Sequence, residues 1–224
     1  MGINSEGKHE ISGSSVRLVL ISDTHELHRE LDIPDGEILI HAGDFTMFSK
    51  SPHAISDFNR WLGELPHRHK IVVPGNHEFF LEADPVKRSL LSNASVLINE
   101  GIEIDGLRIW GSPVTPSYGG AFGLSFTADR RRLYAQIPKD TDVLITHGAP
   151  YGILDSTPDS GVHSGCQELL DAVMRIHPKL HVFGHVHGAH GIFETSQTTF
   201  VNAAMLGIDG DLDQNPILLQ MSTK

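Results

Sequence analysis

The feature of this sequence that most constrains its fold is an apolar run that ends in a glycine followed by two histidines. Leu180–Phe183 is apolar apart from His181 and leads directly into Gly184, His185 and His187. The run predicts a buried strand, and the glycine permits a sharp turn at its end. Histidines two residues apart after such a turn project into one space. Because neutral imidazole is a common ligand for divalent metals, the segment predicts a metal site, with two solvated loop histidines as the alternative.

The same arrangement recurs at four other places, where a short apolar strand runs into a polar motif. These strands are predicted at Val16–Ile21, Ile38–Ile40, Ile71–Val73 and Val143–Ile145. The motifs that follow them are Asp23-Thr24-His25, Gly43-Asp44, Gly75-Asn76-His77 and Thr146-His147. In an open α/β sheet, sites form beyond the carboxyl ends of the strands. The five motifs are therefore expected to converge on one site.

The ligand types in these motifs suit two metal ions better than one. Together they offer two carboxylates, one amide oxygen and five imidazoles, which is more than one four-coordinate ion with an open position requires. Two divalent ions about 3.5–4 Å apart, bridged by a carboxylate and a hydroxide, would use them. The ions contribute +4, the carboxylates −2 and the hydroxide −1, so a net charge of about +1 would attract a phosphate.

Composition narrows the classes of partner and compartment. A formal net charge of −11 disfavours nucleic-acid binding, because a phosphate backbone requires a basic surface, but a metal can still supply positive charge for a small phosphoester. Cys166 is the single cysteine, which fits a reducing compartment. The chain has no apolar run of about 18 residues and its start has no signal-peptide centre, so no membrane contact is predicted. We expect a cytoplasmic protein, with a flexible tail at 1–15 and one domain at 16–224.

The remaining elements are predicted from periodicity and turn residues. Helices are expected from Pro52 to Leu65 and at Pro85–Leu91, Thr127–Ile137 and Gly165–Ile176. An Asp105-Gly106 hairpin is expected to join two short strands, and three closing antiparallel strands are expected at Ile192–Thr195, Thr199–Val201 and Ile217–Met221. Ser112–Phe126 is a long loop and a candidate lid. The basic residues Arg130–Arg132 are expected to form a solvated helix face, and His41 to be a core histidine.

The order of the motifs resembles that of the calcineurin-like metallophosphoesterases. The match covers Arg17 to Ala203 and consists of Asp-x-His, Gly-Asp, Gly-Asn-His-Glu, Thr-His and Gly-His-x-His. More narrowly, several segments are similar to the metallophosphoesterase domain-containing proteins of animals. These are Asp23-Thr24-His25, His41-Ala42-Gly43-Asp44-Phe45-Thr46, Trp61-Leu62-Gly63, Gly75-Asn76-His77-Glu78 and Lys179–Phe183. The resemblance implies the metallo-dependent phosphatase fold, a four-layer αββα sandwich of two mixed sheets flanked by helices.

The resemblance also implies a role for each motif residue. One metal would be held by Asp23, His25, Asp44 and His187, and the other by Asp44, Asn76, His147 and His185. Asp44 would bridge the two, and a metal-bound hydroxide would be the nucleophile. His77 would stay outside the metals, where it would protonate the leaving oxygen or stabilise the phosphoryl oxygens. Ligands without sulfur allow Mn, Fe, Zn, Co or Ni.

Substrate contacts are expected from Asn76 and His77, and from His28 and His190, which follow predicted ligands by three residues. Glu78 is expected either to orient a ligand or His77 or to be a surface carboxylate. The implied function is metal-dependent hydrolysis of a small phosphoester such as a nucleotide. A phosphodiesterase is favoured over a monoesterase, acting as a monomer or homodimer.

Three other functions are weighed against a small-molecule phosphodiesterase. A protein phosphatase is disfavoured, because Phe45–Phe48 follows Gly43-Asp44 where that branch has Asp-Arg-Gly. A dinuclear amide or lactone hydrolase is disfavoured by the lack of a His-x-His-x-Asp-His cluster. A catalytically weak scaffold that binds metal or nucleotide is the main alternative. His185 speaks against it, because some relatives in the narrower group carry glycine there and so have a weaker second metal site.

Overall fold

The computed structural model describes residues 15–48, 51–116, 119–156 and 161–223. The predicted tail at 1–15 therefore lies, except for Ser15, outside the described residues. The first large sheet is built from β1 (Ser15–Ile21), β2 (Ile38–His41), β3 (His69–Val72), β4 (Ser95–Val96) and β13 (Ile217–Ser222). Their order is β13-β1-β2-β3-β4. β1 to β4 are parallel and β13 is antiparallel to β1, which makes the sheet mixed.

The second large sheet contains six strands. They are β5 (Glu100–Ile104), β6 (Leu107–Ser112), β9 (Val143–Thr146), β10 (Leu180–Phe183), β11 (Gly191–Glu194) and β12 (Thr199–Asn202). Their order is β11-β12-β10-β9-β6-β5, and the predicted hairpin of β5 with β6 is confirmed. The prediction for β12 is wrong in part, because β12 is antiparallel to β11 but parallel to β10. The chain reverses from β10 to β11 and again to β12, which restores the direction of β10.

Short helices cover the outer face of each sheet. They are α1 (Pro52–Glu64), α2 (Phe79–Glu82), α3 (Thr127–Tyr134) and α4 (Gln167–Ile176), with 3-10 turns at His28–Glu30 and Pro85–Leu90. Ser51 begins α1 by accepting a hydrogen bond from the His53 backbone N–H, as expected of an N-cap residue. Within the predicted loop Ser112–Phe126, β7 (Thr115–Pro116) and β8 (Gly123–Leu124) form a small parallel pair. None of the described helices has the length and hydrophobicity needed to cross a bilayer.

Three apolar clusters define the layers of the molecule. The cluster between the sheets joins side chains of both, including Leu20, Ile40, Ile71, Ile109, Ile145 and Val182. A second cluster packs α1 on the first sheet, and a third packs α3 and α4 on the second. Each fully buried aliphatic side chain contributes about 1.5–3 kcal/mol. The predicted four-layer αββα sandwich is therefore confirmed.

The predicted solvated face of α3 is wrong for one of its three arginines. Arg131 and Arg132 are exposed, but Arg130 is buried. Its guanidinium donates to Glu168 at 2.9 Å and to the carbonyl of Leu124 at 2.6 Å. Glu168 neutralises the guanidinium charge and the carbonyl accepts one of its N–H groups, so the cost of burying Arg130 is offset. Arg130 therefore links α3 to α4 rather than facing solvent.

Two fully buried histidines lie in the strands, and burial lowers the pKa of each to about 3. His41 is the core histidine that the sequence predicts, with its Nε2 at 3.0 Å from Thr24 Oγ1. His181 Nε2 lies 2.9 Å from Thr146 Oγ1, which in turn donates to the carbonyl of Gly148. His181 therefore donates to the hydroxyl in its neutral form.

Because His181 is buried in its neutral form, we expect the protein to lose stability in acid. Replacing His181 should reduce this loss. The pKa of His181 is near 3 in the folded protein and 6.5 in the unfolded chain. Below pH 6.5 the unfolded chain therefore takes up a proton that the folded protein does not, so the free energy of unfolding falls as the pH drops from 6.5 toward 3. At pH 5, His181 should cost the fold about 2 kcal/mol relative to pH 7. His181→Gln keeps the donor and should flatten the dependence of thermal stability on pH between 5 and 7. His53→Gln, at an exposed position, is the control, and an unchanged slope in His181→Gln would contradict the prediction.

Candidate metal centre

The carboxyl ends of five parallel strands bring their polar motifs together at one end of the sandwich. β1, β2 and β3 supply motifs from the first sheet, and β9 and β10 supply them from the second. Three groups of ligand-type side chains result, and within each group the ligand atoms lie within 4.8 Å of one another. The groups are Asp23 with His25 and His187, His25 with Asp44 and His77, and Asp44 with His147 and His185. Two of these groups share Asp44.

The first group combines residues of both sheets. His187 Nε2 lies 3.4 Å from Asp23 Oδ1 and 3.3 Å from His25 Nε2. His25 Nε2 is also 3.9 Å from Asp44 Oδ2. The other ring nitrogen of His25, Nδ1, is 3.2 Å from the carbonyl of Thr46, which orients the ring with Nε2 toward the carboxylates. These atoms could hold one ion between them.

The third group joins Asp44 to histidines that follow β9 and β10 of the second sheet. His147 Nε2 lies 3.2 Å from Asp44 Oδ2, while Nδ1 of the same ring contacts the carbonyl of Ala42 at 3.0 Å. Asn76 Oδ1 lies 2.8 Å from both His147 Nε2 and His185 Nδ1. A backbone carbonyl on the outer nitrogen is the usual partner of a metal-binding histidine, because it fixes the tautomer. The predicted ligand Asn76 thus lies beside His147 and His185, on the same side as Asp44.

Several ligands sit on backbone that L-residues rarely adopt. φ is +52° at Asp23, +40° at His25, +55° at Asp44 and +68° at His185. Such conformations cost about 1–3 kcal/mol each and persist where the surroundings enforce them. Here the Asp23 N–H donates to Gly43 O at 2.8 Å, and the His185 N–H donates to Asp23 Oδ2 at 2.9 Å. The strained residues hold each other in place.

Glycines in the motifs leave room for the ligands. A Cβ added at Gly75 would collide with Asp44 Oδ1, and one at Gly184 would collide with Asp23 Oδ2. A Cβ at Gly43, where φ is +111°, would collide with the ring of His147. Any side chain at these positions would displace a carboxylate or imidazole. Gly43 and Gly184 therefore permit the close approach of the two sheets, and Gly75 permits that of two neighbouring loops of the first sheet.

The charges of the site favour a cation between the carboxylates. Burial alone would raise the pKa of Asp44, but the positive charge of His147 brings it below its ordinary value. Burial also opposes protonation of His147, yet Asp44 and Asp23 raise its pKa to about 9. At His185, burial and the charge of His147 lower the pKa to about 4. Two buried anions surrounded by imidazole nitrogens form a donor set that fits divalent metal ions, provided that His147 gives up its proton when a metal binds.

Glu78 fixes the loops that carry Asp44 and Asn76. Its fully buried carboxylate accepts backbone N–H groups from Gly75 at 2.6 Å, Asp44 at 3.0 Å and Thr46 at 2.9 Å. The Thr46 hydroxyl adds a fourth hydrogen bond at 2.9 Å. Burial and the neighbouring Asp44 raise the pKa of Glu78 to about 7. The sequence left its role open; the structure places it inside, joining the loops after β2 and β3.

Replacing Glu78 with glutamine should weaken metal binding. The amide offers one acceptor oxygen, so its NH₂ group would face backbone N–H donors, and two or more hydrogen bonds would be lost. We expect the dissociation constant for Mn²⁺ to rise about 10–100-fold, measured by calorimetric titration of metal-free protein. Glu82→Gln is the matched control, because this exposed carboxylate also accepts a backbone N–H, that of Phe122 at 2.7 Å. Unchanged affinity with a lower melting temperature would reduce Glu78 to a purely structural residue.

His77 lies at the edge of the centre with its proton directed inward. Its Nδ1 accepts the backbone N–H of Phe48 at 3.3 Å, so the neutral ring carries its proton on Nε2. Nε2 is 3.7 Å from Asp44 Oδ2. Burial lowers the pKa of His77, although Asp44 acts in the opposite direction. His77 lines the pocket, so its Nε2–H can face a bound molecule.

The structure does not bring His28 or His190 into the pocket. His28 is buried against the rings of Phe58 and Trp61, and its Nε2 contacts Asp57 at 3.2 Å. The Nδ1–H of His190 donates to the carbonyl of Ala204 at 2.9 Å. Neither residue is in the described pocket lining, so the structure gives no support to the predicted substrate contacts of His28 and His190. The described pocket has a volume of 260 Å³ and is lined by His25, Asp44, Met47, Asn76, His77, His185, His187, Leu206 and Gly210.

Comparison with solved structures agrees with the fold. A protein from Thermus thermophilus, TT1561, superposes with a TM-score of 0.61 at 14% identity. The match covers 94% of this chain and 100% of that one. At this identity the likeness concerns the fold alone. With the four layers, it confirms the metallo-dependent phosphatase fold that the family resemblance implies.

Sequence comparison supplies the family. The chain is 37% identical to metallophosphoesterase domain-containing protein 1 of Homo sapiens, over 92% of this chain and 71% of the relative. It is 41% identical to UPF0046 protein C25E10.12 of Caenorhabditis elegans, over 86% of this chain and 76% of the relative. The family model for calcineurin-like phosphoesterases matches residues 16–189, a range that contains every ligand-type residue of the three groups. This chain therefore belongs to the calcineurin-like phosphoesterase family, whose members depend on divalent metal ions.

Proposed function

We propose that the protein is a phosphodiesterase that hydrolyses small phosphoesters at a centre for two divalent metal ions. The observation that carries this proposal is the position of Asp44. Its Oδ2 lies 3.2 Å from His147 and 3.9 Å from His25, which belong to different ligand groups. A carboxylate between two sets of imidazoles is the arrangement that a bridging ligand requires.

The ligands divide into two sets around this bridge. Asp23, His25 and His187 complete one set with Asp44. Asn76, His147 and His185 complete the other. The donors are nitrogen and oxygen without sulfur, which suits Mn, Fe, Zn, Co or Ni. Two such ions, when bound, would neutralise the phosphate and activate a water molecule for attack.

His77 is the candidate proton donor to the leaving oxygen. Its Nδ1 is held by the backbone of Phe48, so the proton on Nε2 points toward Asp44 and the pocket. The backbone N–H of His77 donates to Asp44 Oδ1 at 2.9 Å, which ties its position to the proposed bridge. A donor held in this way would either protonate the leaving oxygen or stabilise charge on the phosphoryl oxygens.

Charge favours a diester over a monoester. Two divalent ions, two carboxylates and one hydroxide sum to about +1, which balances the single negative charge of a phosphodiester. A monoester dianion would need a further cation. Among the described residues that line the pocket there is no lysine or arginine. The surroundings of the centre therefore support a monoanionic substrate.

The function is tested by restoring metal to the stripped protein. Hydrolysis of bis(p-nitrophenyl) phosphate and of p-nitrophenyl phosphate should both depend on added Mn²⁺, and activity should saturate near two ions per chain. We expect kcat/KM for the diester to exceed that for the monoester by at least about tenfold. Saturation at one ion would contradict the dinuclear centre, and a higher rate on the monoester would contradict the diester preference. Two bound ions without turnover of either ester would favour the scaffold alternative.

A further inference from the structure

The walls of the pocket that are not built from ligands or His77 are apolar. In the described lining, the residues outside that set are Met47, Leu206 and Gly210. Met47 follows the loop after β2, and Leu206 follows β12, so the two side chains come from different sheets. Leu206 has no hydrogen-bonding group, and the thioether sulfur of Met47 is only a weak acceptor. A phosphate at the centre would therefore place its organic group against apolar surface.

Phe48 lies outside the described pocket lining but packs against His77, which belongs to that lining. Its ring stacks on the His77 ring with a centroid distance of 3.7 Å and an interplanar angle of 24°. Phe48 is nonetheless 57% exposed, and the neighbouring Met47 is 51% exposed. One face of the Phe48 ring is covered by His77, so the exposed area belongs to its edges and other face. Adjacent apolar side chains left open beside a polar centre are typical of a ligand-binding surface.

We propose that the exposed surface of Met47 and Phe48 binds a flat aromatic ring that is part of the phosphoester. The proposal rests on the proposed function and adds the substrate class. An aromatic ring would stack against Phe48 and contact the sulfur of Met47, two interactions that favour planar groups. The pocket of 260 Å³ is near the lower limit for small-ligand sites, about 300 Å³. It therefore accommodates a phosphoryl group with one ring rather than a large substituent.

Unreactive phosphonates test this ring site without turnover. The probes are the monomethyl esters of phenyl-, cyclohexyl- and methylphosphonate, called by these short names below. Each carries the single negative charge of a phosphodiester, and they differ only in the organic substituent. Calorimetric titration of the Mn²⁺-loaded protein should show phenylphosphonate binding about tenfold more tightly than methylphosphonate, with cyclohexylphosphonate in between. Equal binding of all three would overturn the ring site and leave the phosphoester function intact. Equal binding of the phenyl and cyclohexyl compounds would overturn the preference for a planar group.

Single substitutions should show which side chains form the ring site. Met47→Ser and Phe48→Asn should each reduce the phenyl-to-methyl ratio to within about twofold, because each removes one wall of the proposed ring site. Asparagine is chosen because φ at Phe48 is +51°, a conformation that asparagine tolerates. Met174→Ser is the matched control, since Met174 is a 56% exposed methionine on α4. A preserved ratio in both variants would overturn the assignment, and failure of every phosphonate to bind would overturn the proposed function as well.

Discussion

Asp44→Asn should remove the metal ions and at least about 10³-fold of the activity, because one carboxylate serves both proposed ligand sets. The substitution keeps the shape of the side chain and an oxygen for the His77 N–H. It removes the negative charge that faces His25, His77 and His147 within 4 Å. Elemental analysis after dialysis should find well below two ions per chain. We expect the fold to persist, because the apolar core between the sheets is untouched.

A second buried aspartate provides the control for this experiment. Asp142 precedes β9 and so lies at the opposite end of that strand from His147. Its carboxylate contacts Arg108 and Lys179 rather than metal-ligand residues. Asp142→Asn should lower thermal stability without changing metal content. Retention of two ions per chain by Asp44→Asn would rule out the bridging role.

His77→Asn should lower kcat by about 10²–10⁴-fold while metal content stays at the wild-type level. The reason is that Nε2–H faces the pocket while Nδ1 is engaged by the Phe48 backbone. If His77 protonates the leaving oxygen, the loss should grow as the leaving group becomes more basic. Two aryl diesters with phenol groups of different pKa therefore separate this role from simple positioning of the phosphate.

His177 supplies the control for His77. It is exposed at the end of α4 and has a φ of +51°, which asparagine accepts readily. His177→Asn should leave kcat, KM and metal content unchanged. Loss of metal from His77→Asn in parallel with activity would show that His77 is a ligand. A loss of kcat that is the same for both leaving groups would favour stabilisation of the phosphoryl oxygens instead.

The convergence of the motifs could be predicted because it follows from local pattern and sheet architecture. Each of the five motifs directly follows a short buried strand, and parallel strands end at the same edge. Val16–Ile21 and Leu180–Phe183 are short apolar runs, and each predicts a buried strand. The four-layer sandwich was predicted from the family resemblance and is confirmed.

What the sequence did not reveal depends on contacts between distant segments. Nothing local distinguishes Glu78, which accepts N–H groups from two loops, from a surface carboxylate. Arg130 resembles its exposed neighbours until Glu168 on another helix buries it. His28 follows a ligand closely in sequence, but the 3-10 turn at His28–Glu30 directs it to α1. In each case the deciding partner lies more than 25 residues away.

The division of the ligands between the two sheets has a consequence for the lifetime of the protein. Each proposed ion would take ligands from the ends of both sheets. It would therefore link the two sheets across the interface that forms the central core. Free metal at 100 times its dissociation constant would add about 2.7 kcal/mol to the free energy of unfolding. Without the ions, the two sheets would rely at this end on direct contacts such as those between the carboxylates of the first sheet and the histidines of the second, and we expect this end of the sandwich to open first. Metal supply would then govern the resistance of the chain to proteolysis as well as its catalytic rate.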